Sequence, residues 1–423
     1  MQSELIIFVS MVGIFAAGCF LFKLPVSVSM VAAAITGSII SGNGLPIRHL
    51  VEGTFGYLDT ILVIATAMIF MKVVQESGAL GALSSSIIER FHEKPALLLV
   101  LLMFIVMFPG MITGSSSAAV LTAGGLVGPV FILMGIPAVE AAAIIALGGL
   151  MGMIAPPVNV PAMIIGGGID MPYVGFEIPL LLLSVPLAII FVLMLGLKHV
   201  KNLDYEVLKT KLDMDTRKQY GFKIYLPIIV VLVLMILGKT TPDLISFGMP
   251  LTFMIGSLLG LFTGKKINFL QVSKDAINVA LPVLGILMGV GMFIQIMTLT
   301  GVRGYIVVNS LSLPPALLYL GVAITIPLFG AVSAYGSSSV LGVPFLLALL
   351  DQNQIITASS LSLIASLGDL MPPTALAGIF AAQILGIDNY FLVLKKCLIP
   401  SLIVIVYGIL FILFSNQIAS VIF

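Results

Sequence analysis

Asp369 ends an otherwise apolar segment in the run Ser366-Leu367-Gly368-Asp369-Leu370-Met371-Pro372-Pro373-Thr374. A carboxylate inside hydrophobic sequence is costly to hold, and by default it marks an ion or proton path. It could ligate sodium or carry a proton; the plainer alternative is a carboxylate solvated in a wet vestibule. Other polar breaks interrupt hydrophobic sequence elsewhere. Thr113-Gly114-Ser115-Ser116-Ser117 is one, and Gly330, Ser333, Gly336, Ser337 and Ser338 form another. Hydroxyls and exposed carbonyls are the hard oxygen ligands that sodium takes, and the C-terminal end of a half-helix carries the negative end of its dipole. Pro156-Pro157-Val158-Asn159 and Pro372-Pro373-Thr374 are breaks of a different kind. Consecutive prolines remove two backbone donors and leave upstream carbonyls unpaired. Those carbonyls can face the same cations, while the positive N-terminus of the next half-helix can face a carboxylate.

The candidate ion-binding residues are therefore Thr113, Gly114, Ser115, Ser116, Ser117, Pro156, Asn159, Gly330, Ser333, Gly336, Ser337, Asp369, Pro372 and Thr374. Candidate substrate contacts are Ser116, Ser117, Asn159, Ser338 and Thr374. The competing account of the small residues is close helix packing in a membrane, and of the prolines a plain kink. Lys72 stands near the end of an apolar segment with Glu76 four residues on. The bland reading of that pair is a snorkelling lysine with a helical partner; the alternative is a contact to a substrate carboxylate.

These breaks require membrane elements to position them. Hydrophobic residues make up 60% of the 423 and charged residues 9%, with a mean hydropathy of +1.23; soluble domains carry about 25% charge. At roughly 20 apolar residues per spanning helix, the chain holds on the order of ten spans plus re-entrant pieces. Spans are expected at Leu5–Phe22, Val26–Ile40, Leu58–Val74 and Ile178–Leu197, with a polar interfacial linker over Asn43–Glu52 and an amphipathic piece over Ala79–His92. The first span lacks a basic leader and a small-residue cleavage site, so it is kept as a span. Pro95–Phe108 is short for a crossing, and with Ala118–Met134 it reads as a re-entrant hairpin whose tip is Gly110–Ser117. Ala138–Met153 and Pro161–Ile165 read as halves of one helix broken at Ala155–Val160. Broken helices are tolerated at membrane depth only where they are buried in protein or line a wet cavity.

Lys198–Lys223 is the long charged segment, and the positive-inside rule places it in the cytoplasm. Counting spans from it puts Lys23, Arg90–Lys94, Lys265-Lys266 and Lys395-Lys396 on the same side, Asp170, Glu177 and Arg303 on the other, and the N-terminus outside.

The second half replays the first. Pro95-Ala96-Leu97-Leu98-Leu99 resembles Pro315-Ala316-Leu317-Leu318-Tyr319, and Gly110 and Gly330 lie equally far beyond those prolines. Gly114-Ser115-Ser116-Ser117 pairs with Gly336-Ser337-Ser338-Ser339, and the Pro-Pro breaks follow at similar intervals, which makes Met153 the repeat mate of Asp369. The counterpart of the charged Gly78–Pro95 segment carries only Arg303, as expected of the same unit inserted upside down. The organisation is thus 1–57 as N-terminal scaffold helices, 58–197 as repeat 1, 198–223 as cytoplasmic linker, 224–279 as further scaffold helices and 280–423 as repeat 2. The fold class is an all-α membrane protein, an inverted repeat with two re-entrant hairpins and two broken transmembrane helices.

The Gly-Ser hairpin tip, the Gly128-Pro129 pair and Gly148-Gly149-x-x-Gly152-x-x-x-Pro156-Pro157 resemble the large membrane subunit of tripartite ATP-independent periplasmic (TRAP) transporters, within the ion transporter superfamily. The resemblance runs from about Leu58 to the C-terminus. It implies sodium-driven, elevator-type uptake of organic acid anions across a bacterial inner membrane, with Na+ as coupling ion. A small membrane subunit and a periplasmic substrate-binding protein are the partners it implies. Three positions depart from the family pattern: Ala118-Ala119 where an acidic residue is usual, Val158 where serine is common, and a serine run in the second hairpin.

No resident cofactor and no nucleic-acid partner is expected, and nothing points to an enzyme. His49, His92 and His199 share no metal-ligand spacing, Cys19 and Cys397 read as small core hydrophobes, and no phosphate-binding glycine-lysine loop is present for ATP to drive transport directly. The alternatives to a TRAP-like permease are a stand-alone sodium- or proton-coupled anion symporter, a non-transporting assembly subunit, and a channel. The sequence supplies no ring of charges to line a channel pore.

Overall fold

The computed structural model describes residues 2–200, 219–240, 247–310, 314–372 and 375–423. Every regular element among the described residues is helical. Eight of these helices are long and apolar enough to cross a membrane. The linker side chains Lys201, Lys209, Lys211, Arg217 and Lys218, and Pro373 and Thr374 of the second break, lie outside the described residues.

Two helix groups pack against each other. The scaffold comprises Gln2–Phe20, Val26–Ile40, Leu58–Glu76, Gly248–Thr263 and the long Phe269–Leu299, with Leu226–Thr240 on its flank. The helix Phe269–Leu299 is continuous, so the boundary drawn between 279 and 280 falls inside it. The interfacial linker forms the short helix Ile47–Phe55, whose Leu50 and Gly53 are buried while Arg48 and Glu52 face outward. There the Arg48 guanidinium, hydrogen-bonded to Glu52, holds that carboxyl below its usual range.

The core comprises two helical hairpins, two broken helices and the helices Glu177–Gly196 and Phe391–Leu413. The first hairpin has arms Pro95–Thr113 and Ser116–Leu133. Its first arm runs through Pro109 and Gly110, beyond the expected opening of the tip at Gly110. The chain turns instead at Gly114, whose φ of +64° closes the helix, its amide N–H donating to the Gly110 carbonyl at 2.7 Å; a left-handed glycine is the usual helix stop. The second hairpin has arms Pro315–Gly330 and Ala334–Ala348. The broken helices are Ala138–Ile154 with Val160–Gly167, and Gln354–Ser366 with Leu376–Ile384. The first break includes a cis Pro156–Pro157 peptide.

The repeat is visible in the packing. Gly110 lies against Gly152 backbone to backbone, and Gly330 lies against Gly368 in the same way. Each contact joins a hairpin's first arm to its own broken helix, and only glycine leaves room for it. The equivalence of the two tips differs from the pairing of serine runs by one helical turn. Ser115 and Ser333 are the N-caps of the two second arms, and the π-helical turns Val120–Gly124 and Ser338–Gly342 follow each cap at the same interval. Ser116 therefore corresponds to Ala334, not to Ser338, because cap and turn set the register and serine composition does not.

Polar contacts also join segments that lie far apart in the chain. Lys396 pairs with Glu140 at 2.8 Å, Arg303 with Asp170 at 3.7 Å, and the Lys265 amide donates to the Ser77 carbonyl at 3.0 Å.

Candidate functional site

The two hairpin tips and the two breaks meet at the centre of the core. Ser116 opens the second arm of the first hairpin, and its hydroxyl donates to Oδ2 of Asp369. Asp369 is buried in a 3-10 turn, Leu367–Leu370, that ends the first half of the second broken helix. The Ala334 backbone amide, at the start of the second hairpin's returning arm, faces the same carboxylate. One carboxylate thus faces both hairpins, each at the N-terminal end of a returning arm, where the dipole favours negative charge. Tyr335 completes the link, donating from its hydroxyl to the Gly114 carbonyl at 2.9 Å.

The first break is tied to the second broken helix by Asn159. Its Nδ2 donates to the Ile154 carbonyl at 2.8 Å and to Ser362 Oγ at 2.9 Å, while its Oδ1 accepts from the Ala162 amide at 2.8 Å. The Asn159 backbone amide donates to the Tyr173 hydroxyl at 3.2 Å. Asn159 is therefore an N-cap and a bridge between repeats at once. Its repeat mate is Ala375, which lies in the left-handed region at φ +36° and offers no side-chain cap.

The remaining sequence candidates divide between the centre and local roles. Thr113 is buried and donates to the Pro109 carbonyl at 2.7 Å, and Ser115 accepts from the Ala118 amide at 3.2 Å. Ser117 is half-buried beside them, and Pro156 is buried at the first break. In the second hairpin Ser333 accepts from the Gly336 amide at 3.3 Å. Ser337 donates to the Ile326 carbonyl and Ser338 to the Ala334 carbonyl, at 2.7 and 2.8 Å. Both of those hydroxyls are spent inside their own hairpin. Gly330 serves the packing contact with Gly368, Gly336 packs near the Phe15 ring of the scaffold, and Pro372 is exposed. The structure thus brings Gly114, Ser116, Asn159 and Asp369 into contacts across the repeats. It leaves Thr113, Ser333, Ser337 and Ser338 in bonds within their own hairpins, while Ser115 also faces Tyr335 of the second hairpin.

Sequence reasoning did not single out Tyr335, Ser362, Tyr173 or Tyr57. Tyr335 sits inside the tip between Ser333 and Gly336, and Ser362 belongs to the run Thr357-Ala358-Ser359-Ser360-Leu361-Ser362. Polarity at hairpin depth was the available signal in both cases. Ser359 and Ser360 return their hydroxyls to carbonyls one turn back, the usual fate of a helical serine.

Scaffold and core touch differently at their two ends. At the end that begins the scaffold helix Leu58–Glu76, the buried Tyr57 hydroxyl donates to the Ile164 carbonyl at 2.7 Å, and the Arg303–Asp170 pair lies nearby. Toward the other end, a cavity of about 230 Å³ separates Leu58–Glu76 and Phe269–Leu299 from the first hairpin, reaching Thr113. Lys72 lines it and pairs with Glu76 at 2.9 Å.

A family model described as "Tripartite ATP-independent periplasmic transporter, DctM component" matches residues 12–418. No curated protein sequence matches the chain. Among solved structures, the YdaH transporter of Alcanivorax borkumensis superposes with a TM-score of 0.61 at 17% identity, covering 88% of each chain. MtrF of Neisseria gonorrhoeae, which exemplifies a class of antimetabolite efflux pumps, superposes with a TM-score of 0.57 at 15% identity, covering 87% of this chain and 83% of its own. At such identities the likeness concerns the fold.

Proposed function

The chain belongs to the DctM-component family of tripartite ATP-independent periplasmic transporters, and from that premise we propose that it is the large permease subunit of a sodium-coupled, elevator-type carrier of organic acid anions. The observation that carries the proposal is the convergence on Asp369. A buried carboxylate bonded by Ser116 of the first hairpin and facing the Ala334 amide of the second sits on the second broken helix between them. A carboxylate has about four lone-pair sites, and those its protein donors leave free are available to a cation. Sodium bound there would screen Asp369 and let an anionic substrate approach the same hairpin ends. Coupling then follows from electrostatics: substrate without sodium would meet a bare carboxylate, and sodium without substrate would leave a positive charge unmatched. Transport requires the loaded and empty cores to move more readily than the half-loaded one, a difference in affinity between states.

The unequal ends of the interface support movement of core against scaffold. The Tyr57–Ile164 bond closes one end and the Lys72 cavity opens the other, as a carrier caught facing one side would look. On the loop-charge assignment, the open side is cytoplasmic. A small membrane subunit and a periplasmic binding protein would complete the system.

The test is uptake of labelled mono- and dicarboxylates into proteoliposomes, with and without an inward sodium gradient. One preparation holds the chain alone and another holds it with its co-encoded small subunit and binding protein. Sodium-dependent accumulation in the complete system is the expected result. Accumulation by the chain alone would favour a self-sufficient symporter, and no accumulation in either would overturn the proposal.

A further inference from the structure

Among the described residues, Lys72 is the one charged residue lining the cavity between scaffold and first hairpin. Met68, Lys72 and Gln75 stand at helical spacings of four and three, so they form one stripe on the scaffold helix. Thr113 and Thr122 of the first hairpin line the same cavity. A lysine that only snorkelled would extend to water, whereas Lys72 keeps 29% of its side chain exposed beside methionines. Its partner Glu76 lies one turn nearer the helix end and is 45% exposed.

We propose that Lys72 is an exit subsite for the substrate carboxylate, with Glu76 as the group that displaces it. This rests on the reading of the chain as an organic-anion carrier. An ammonium has three donors; one engages Glu76, leaving two for an incoming carboxylate, with Gln75 and Thr122 able to donate alongside. The cavity lies below the volume of about 300 Å³ at which drug-sized pockets begin, room for a small acid or for one end of a longer one. An anion leaving the hairpin tip at Thr113 meets Lys72 before it meets bulk water. Glu76, the more exposed anion, then competes for the ammonium and returns the site to its resting pair. Because Lys72 is on the scaffold and the hairpin is on the core, the contact exists only when this cavity is open. It therefore sets affinity on one side of the membrane.

The experiment uses full-length protein with Cys19 and Cys397 replaced by serine and Thr122→Cys introduced. Labelling rates are compared for two thiol reagents of similar size, anionic 2-sulfonatoethyl methanethiosulfonate and cationic 2-(trimethylammonium)ethyl methanethiosulfonate. A focused positive charge raises the local concentration of anions on the order of tenfold or more. Lys72→Gln is expected to lower the anion-to-cation rate ratio by about that factor, Lys72→Arg to keep it, and Glu76→Gln to raise it. A ratio unchanged by both Lys72→Gln and Glu76→Gln overturns the proposal. The readout needs no transport, so it stands apart from the uptake assay. If the complete system takes up no acid, the carrier reading fails whatever the labelling ratio shows. If uptake is normal and the ratio does not move, only the exit subsite fails.

Discussion

Gly330→Ala tests the repeat packing at its tightest point. A Cβ at Gly330 would stand 2.7 Å from the Gly368 Cα and 3.2 Å from its amide nitrogen. Carbon atoms rest about 3.5–4.0 Å apart, so the two segments must separate by on the order of 1 Å. The neighbour is backbone, so no side-chain rotation relieves the contact. Overpacking of this kind costs roughly 1–3 kcal/mol, offset by at most about 1 kcal/mol of helix propensity, and by less at the last residue of a helix. Gly110→Ala meets the Gly152 carbonyl carbon at 2.8 Å and is expected to lose a similar amount. Gly125→Ala is the control: nothing lies within 4 Å of its Cβ, so stability should hold or rise. The assay is the thermal unfolding midpoint in detergent, run without sodium. Alanine keeps the backbone carbonyl that an ion site would use, so a loss in sodium-free buffer is a loss of packing. Gly330→Ala as stable as the parent, with Gly125→Ala no better, would refute the reasoning.

Three further outcomes are expected. Asp369→Asn keeps the shape and removes the charge between the two hairpins, so the sodium concentration giving half-maximal uptake should rise at least about tenfold, in line with loss of a charged partner worth about 1.5–3 kcal/mol; unchanged sodium dependence would assign the carboxylate a structural role. Asn159→Ala removes a cap and the bridge to Ser362 together and strands buried partners, so the unfolding free energy should fall by roughly 1–3 kcal/mol. Tyr57→Phe deletes the 2.7 Å bond to the Ile164 carbonyl, worth about 1 kcal/mol, and should shift the population toward the state open at that end about fivefold, read as faster labelling of a thiol at the buried Ile164→Cys position.

The all-helical membrane class, the hairpins and the broken helices were legible in the chain because each is a local property. Apolar runs of spanning length, a polar Gly-Ser turn and paired prolines announce themselves wherever they fold. The helix at Val26–Ile40 began and ended at the expected residues, though at 15 residues it is shorter than the eight spanning candidates, and the first break opened at Ala155 as expected. Limits set by hydrogen bonding were less legible. The first arm continued through Pro109 to Thr113 because the stop is a left-handed Gly114, and no hydropathy window reads a dihedral angle.

The internal repeat was also determined by sequence alone, since spacing survives translation along the chain. Its register at the tips was decided by tertiary structure, because caps and π-helical turns align the arms while serines recur for unrelated reasons. Asp369 could be singled out without coordinates, for a carboxylate in apolar surroundings is conspicuous from composition. Its partners could not: Ser116 lies 253 residues away, and whether a serine donates across a core or back to its own helix depends on what packs against it. Ser116 crosses to the other repeat and Ser338 does not, although both stand in near-identical serine runs. Lys72 shows the same division. The sequence placed it with Glu76 by helical spacing, and only the packing of hairpin against scaffold put a cavity beside it.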